Sequence, residues 1–318
     1  MERESQFELL RFVAIMFVMI VPALPSISKL EGLLAHSLFL LVENCVLVGV
    51  NLFILISGWF TIRLKLKSVL NFAFLVFFGL ATMLALQFSQ GEALRVGVIA
   101  NGLNPFRNWF ISAYVLLMLL SPLINAFVDL ASTHKIFSYM IGFLILELVV
   151  DHLLPLKMWG VFSGGYSHLG FIGVYLLGAW LRRIADAKCL TKVNCVAMYL
   201  VSVLLTTMLG LVCVVLVKHG ILVGACNHML WRLFAYSSPL VLCAATGLFL
   251  FIGKLRFSSA IVNHMEQSVF WNLPCALHST LRATRPENDI RLLMEWRIAR
   301  NCYILYLWSD KARVVECR

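Results

Sequence analysis

Eight long apolar stretches separated by short polar loops constrain this chain more than any other feature of its 318 residues. They run approximately Phe7–Leu24, His36–Ile62, Ser68–Phe88, Trp109–Leu130, Ile136–Leu156, Gly170–Leu181, Val193–Val217 and Leu230–Ile252. A helix needs roughly 20 mostly apolar residues to cross a bilayer, and each stretch meets or approaches that length. The sixth is the short one, with a start near Tyr166. Hydrocarbon leaves no partner for a bare peptide group, so stretches of this kind cross as helices. The expected fold is therefore all-α, a polytopic transmembrane bundle of about eight spanning helices.

Composition excludes a water-soluble alternative. Hydrophobic residues make up 61% of the chain and charged residues 13%, with mean hydropathy +0.89. Soluble domains run at roughly 45–50% apolar and about 25% charged. So much apolar surface needs lipid to cover it, which makes membrane lipid the first expected partner. The net charge of +10 does not point to nucleic acid. Its cations form no stripe but sit between the apolar stretches, where the positive-inside rule places them.

Those loop charges also give an orientation. With a cytoplasmic N-terminus, the inner loops carry Arg63, Lys65, Lys67, Lys135, Arg182, Arg183, Lys188, Lys192, Lys254 and Arg256. The outer loops carry Lys29, Arg95, Arg107, Lys157 and Lys218. A ratio of roughly two to one is a fair positive-inside bias. The first stretch follows an acidic, polar start and lacks a small-residue cleavage site, so it reads as a retained anchor. Nine cysteines show no CxxC and no Cys/His metal spacing, which gives neither a disulfide framework nor a metal site.

Ionisable groups inside spanning stretches cost about 2.5–3.5 kcal/mol each and mark functional candidates. Glu8 and Arg11 are three apart on one helical face. They fit either a functional pair or an interfacial one, with Arg11 snorkelling to headgroups. Asn44 and Asn51, close to Glu43, share a face of the second stretch and suit interhelical hydrogen bonding or a polar cavity. Glu147, Asp151 and His152 fit a proton relay or a helix exit into headgroups. Tyr166 and His168 lie in a Gly-Gly-containing outer turn, where a ligand contact is one of two readings.

Four stretches together resemble the acyltransferase-3 family of bacterial membrane enzymes. They are Glu8-Leu-Leu-Arg-Phe-Val-Ala-Ile15, Gly49–Phe60, Asn108–Asn125 and Gly165–Arg182, with similarity over about residues 4–270. The resemblance implies a bundle of about ten helices in the complete pattern. It implies transfer of an acyl group, usually acetyl from acetyl-CoA, to a sugar hydroxyl of a surface glycan or lipid-linked saccharide. The location implied is the bacterial inner membrane, with acyl-CoA as donor and no metal. The family's first helix carries an arginine and, after ten intervening residues, a histidine. An imidazole can take the hydroxyl's proton near neutral pH, and a guanidinium can hold anionic charge on the donor.

Here the arginine is Arg11 and the histidine slot is Pro22. Proline has no proton to exchange and breaks a helix end. The general base is missing on this alignment, and the implied enzyme is impaired or inactive. Candidates for substrate contact in or beside the motifs are Glu8, Asn51, Arg63, Trp109 and His168. Arg63, Lys65 and Lys67 could attract the phosphates of coenzyme A or serve only as topology determinants.

The chain then divides into a membrane domain, residues 1–260, and a basic tail, residues 261–318, without a spanning run. Where the family pattern continues Gly-Ile-Tyr-Leu-Val-His, this chain reads Trp271-Asn-Leu-Pro-Cys-Ala-Leu-His278. Removing one T from a TTT TGG pair of codons restores the family pattern. The tail is thus expected to be out-of-frame peptide, with a genuine cytoplasmic extension as the alternative. A transporter of a lipid-linked or small polar molecule is the competing function, and a catalytically dead partner of another membrane protein is a third.

Overall fold

Proline, glycine and short polar turns divide the apolar stretches into nine α-helices among the described residues. The structure is a computed structural model that describes residues 5–24, 32–64, 109–152, 168–188 and 190–255, with positions 66, 69, 70, 73, 74, 77 and 257. The helices are α1 (Ser5–Ala23), α2 (Leu33–Val46), α3 (Gly49–Phe60), α4 (Trp109–Leu130), α5 (Thr133–His152), α6 (His168–Ile184), α7 (Lys192–Lys218), α8 (Val223–Leu233) and α9 (Pro239–Gly253). Most of the third apolar stretch, the tail after residue 260, and Tyr166, Lys65 and Lys67 lie outside the described residues.

Every element among the described residues is helical, as the apolar runs require. Among the described residues, three units are long and apolar enough to cross a membrane: Leu33–Phe60 with 28 residues, Phe110–Leu130 with 21 and Lys192–Lys218 with 27. The first joins α2 to α3 through Leu47 and Val48, whose backbone stays close to helical. The eighth apolar stretch is not one helix. It divides at Phe234–Ser238 because Pro239 takes the first position of α9, where its missing N–H costs nothing. That leaves α9 as a 15-residue apolar helix.

Small residues set how closely the helices approach, as membrane helix packing favours. Helix α1 crosses α3 at Gly49, where a side chain would meet Phe17 Cβ at 2.9 Å and Ala14 O at 3.0 Å. Helices α3 and α6 touch backbone to backbone. A Cβ on Gly58 would overlap Tyr175 O, and one on Gly178 would overlap Leu55 O. Helix α9 meets α7 in the same way at Gly247, beside Cys195 O. Leu10, Leu52, Ile54, Leu55, Leu117, Tyr175 and Phe249 fill the space between. Leu119, Leu123, Leu204, Met208 and Val212 face outward instead, an apolar exterior suited to lipid.

The C-termini of α3, α4, α6 and α9 gather at the end where α1 begins. Arg182 donates to Trp59 O at 3.3 Å, Arg183 to Ala131 O at 2.6 Å and to Val128 O, and Lys254 to Ala185 O at 2.8 Å. Cations there complement the negative ends of the helix dipoles and satisfy carbonyls that have no intrahelical partner. A polar knot fixes the end of α3. Tyr175 donates to Asn125 Oδ1 at 2.6 Å and accepts from Ile62 N at 2.9 Å, while Asn125 Nδ2 donates to Ile62 O at 2.6 Å. Tyr175→Phe strips both bonds of the hydroxyl. It is expected to cost about 1–3 kcal/mol, read as a lowered melting temperature of the purified protein in detergent.

Candidate functional site

Two polar sites stand out in the bundle, one at each end of α3. At the basic end, Glu8 is buried, and Arg11 Nη1 donates to its two carboxylate oxygens at 2.8 and 2.9 Å. Their three-residue spacing puts them on one face of α1. The Arg11 guanidinium carbon stands 5.8 Å from the Phe60 ring centre. Below it the Phe7 ring lies edge-on to Phe60 at 4.8 Å and 5.7 Å from Trp59, and Trp59 meets Phe249 at 5.4 Å. Glu8 thus holds a partly exposed guanidinium against an aromatic floor. Arg63 and Arg182 lie exposed at the same end of the bundle.

The second site is formed by Asn51, Leu144, Glu147, Gly170, Phe171, Tyr236 and Ser237 around a small cavity. Its volume is about 10 Å³, close to the lower limit for one water. Asn51 comes from the first turn of α3 and donates to Tyr236 O at 3.0 Å. Glu147, 1% exposed, reaches it from α5. Its carboxylate occupies the space that a side chain on Gly170 would need. Gly170 is in the first turn of α6, where N–H groups lack intrahelical partners and the dipole is positive. The Glu147 carboxylate thus packs against the first turn of α6 and fits α5 to α6. Ser237 and Tyr236 come from the turn that Pro239 creates.

Glu8 and Arg11 are therefore together, and Asn51 and Glu147 are together, but the two pairs are apart. Asn51 precedes Phe60 by nine residues, about 13 Å along the helix axis. His168 is the first residue of α6, at the Glu147 end, and is half-buried. Pro22 lies in the last turn of α1, one turn beyond the contact of Val18 with Gly49. It belongs to the Asn51 half of the bundle, not the Arg11 half. Trp109 opens α4, and Asp151 and His152 close α5. Asn44, seven positions before Asn51, donates to Thr207 Oγ1 at 3.0 Å and ties α2 to α7.

Sequence reasoning missed Asn125, Tyr175 and the Tyr236–Ser237 turn. The signal for Asn125 was visible as a lone carboxamide in an apolar helix. The partner that makes it meaningful, Tyr175, lies 50 residues away. Comparison of the chain with protein-family models, with curated proteins and with solved structures returned no match.

Proposed function

We propose that this chain is a polytopic protein of the bacterial inner membrane, with about eight spanning segments and a cytoplasmic N-terminus. On this reading it follows the plan of an acyltransferase-3 enzyme. Its chemistry is transfer of an acyl group, acetyl first, from acyl-CoA to a hydroxyl of a cell-surface glycan, and Pro22 impairs the proton-transfer step. The supporting observation is the packing of the four stretches that carry the resemblance. Helix α1 lies on α3, α3 on α6 and α4 on α6, so segments distant in sequence form one unit around Arg11 and Asn51. A shared plan of catalysis needs that convergence.

In the reaction, the glycan hydroxyl oxygen attacks the thioester carbonyl and loses its proton to a base. The thiolate of coenzyme A leaves and is protonated. Arg11 supplies fixed positive charge at the basic end, which the positive-inside rule puts on the acyl-CoA side of the membrane. Glu8 orients that guanidinium, and the Phe7, Trp59 and Phe60 rings offer an apolar floor to the donor. Nothing at the Pro22 position can accept the hydroxyl's proton.

Acetyl-CoA is expected to raise the melting temperature of the purified full-length protein in detergent. Arg11→Gln alone strands a buried carboxylate at a cost of about 3–5 kcal/mol, so Glu8→Gln is made with it. That double variant is expected to bind acetyl-CoA about 10–100-fold more weakly, the worth of hydrogen bonds to a charged group. A wild-type protein indifferent to millimolar acetyl-CoA overturns the enzyme reading. The transporter reading would then lead, since the buried Glu147 beside Asn51 suits a polar site inside a membrane bundle.

A further inference from the structure

The eighth apolar stretch makes its way along the bundle in two pieces. Helix α8 ends at Leu233, α9 begins at Pro239, and the chain between them, Phe234–Ser238, is not helical. Both pieces pack on α7. A Cβ on Gly210 of α7 would touch the Phe234 ring at 3.2 Å, so the break stands level with Gly210. Helix α7 continues from Gly210 to Lys218, about 12 Å further. The break therefore lies within the depth of a helix long and apolar enough to cross a membrane. Non-helical backbone at that depth is tolerated where protein buries it or where it lines a cavity. Tyr236 and Ser237 of the break line the cavity beside Glu147.

Counting along three helices from the basic end puts that cavity at a single level. Helix α5 rises from Thr133 to Glu147, α6 descends from Gly170 to Ile184, and α9 descends from Pro239 to Gly253. Each of these runs covers about 21 Å of helix. That places the cavity inside the roughly 30 Å of hydrocarbon in a bilayer, away from either surface. An ionisable residue at such a level marks a functional site.

What meets there is one acid and a set of neutral oxygens. Glu147 brings its carboxyl from α5, Ser237 a hydroxyl from the break, and the buried Asn51 a carboxamide from α3. Asn51 donates through Nδ2 to Tyr236 O at 3.0 Å, and Oδ1 is the acceptor of the same group. Among the described residues that line the cavity there is no second acid and no basic side chain. Its volume of about 10 Å³ takes one water-sized occupant. A single carboxyl balances a single positive charge. A divalent metal with its own shell of waters and oxygens has no room there, and neither has an organic substrate.

We propose that Glu147 is the binding group of an intramembrane site for one monovalent cation, a proton or a sodium ion, completed by Asn51 and the Tyr236–Ser237 break. The proposal rests on the chain crossing a membrane. It is independent of the acyl-donor reading and of which face is cytoplasmic. Unwound backbone in a broken membrane helix is a recurrent place for such a cation. Binding ties α3, α5 and the break together, so occupancy sets how α8 and α9 seat against the bundle. The titratable residues nearest the site on its lining elements are Asp151 and His152 beyond Glu147 on α5, His168 at the start of α6, and Tyr236 in the break. Helix α3 brings none, and α9 only Cys243, which is exposed.

The test treats the full-length protein in detergent with a hydrophobic carbodiimide, which couples to a carboxyl while that carboxyl is protonated. Peptide mass mapping then reads modification at Glu147. For a sodium site, sodium chloride at ten times its dissociation constant lowers modification about tenfold relative to choline chloride at equal ionic strength. For a proton site, modification ignores sodium and falls about tenfold per unit of pH once the carboxyl has lost its proton. Either pattern supports the proposal and says which cation binds. The melting temperature should respond to the same cation, and Glu147→Gln, which keeps the shape of the protonated side chain, should abolish that response. Where that variant does not fold, the wild-type modification pattern decides alone. No modification of Glu147 at any pH or salt overturns the inference, as does a melting response that Glu147→Gln retains in full. Acetyl-CoA is absent from every arm, so failure here leaves the acyl-donor reading standing.

Discussion

Pro22→His is expected to raise acetyl transfer from acetyl-CoA to envelope glycan by about 10²–10⁴-fold in membranes carrying the protein, the usual yield of a positioned general base. The position lies in the last turn of α1, eleven residues beyond Arg11, or about 16 Å along the helix. That distance separates a donor anchored at the basic end from a proton acceptor in the other half of the bundle. A thioester has to reach between them, and the pantetheine arm of coenzyme A is the part of the donor suited to that role. Pro22→Leu is the necessary control. It removes the proline's effect on the helix end without supplying a base, and is expected to leave transfer at the wild-type level. Equal gains from His and Leu would show helix repair in place of proton transfer. A folded Pro22→His protein with wild-type rates would remove the acyltransferase mechanism from the account.

Gly178→Leu is expected to eliminate folded protein. Even a Cβ at this position overlaps Leu55 O, a backbone atom in a helix that is itself largely buried. The clash cannot be relieved by rotating a side chain, so α3 and α6 must separate. Separation undoes the Tyr175–Asn125–Ile62 knot and the Arg182 contact with Trp59 O. The loss should exceed the 1–3 kcal/mol common for overpacking. Gly58→Leu, which meets Tyr175 O from the other helix, is expected to behave the same way. Gly142 is the internal contrast. It sits in α5, where an added Cβ would meet nothing within 4 Å, and Gly142→Ala should be neutral or stabilising by up to about 1 kcal/mol through helix propensity. Yield of monodisperse protein after detergent extraction separates these outcomes.

The contrast between those glycines shows what was legible in the sequence and what was not. Apolar length alone indicates an all-helical chain and places Trp109–Leu130 and Lys192–Lys218 within a few residues. It joins Leu230 to Ile252 because hydropathy does not register that Pro239 must start a helix. The Ser-Ser-Pro at 237–239 carried that information locally. The pairing of Glu8 with Arg11 was readable because both lie on one helix with fixed spacing. The pairing of Glu147 with the first turn of α6 was not, since it depends on how α5 and α6 pack. Gly58 and Gly178 look alike with Gly142 in sequence, and only the crossing of α3 on α6 tells them apart. The tight reversal between α7 and α8 is also hidden from turn rules, because it uses a left-handed Leu222 beside the left-handed Gly220.

The acyl-donor reading depends on which side of the membrane each helix end faces. Topology reporters fused after Lys188 and after Gly220 in the full upstream sequence test this directly. A reporter active only in the cytoplasm is expected to work at Lys188 and fail at Gly220, and one active only in the envelope compartment is expected to do the reverse. The opposite pattern would put Arg11 on the side without acyl-CoA and contradict the account. The same compartment at both sites would mean that α7 does not cross the membrane, and would contradict it equally.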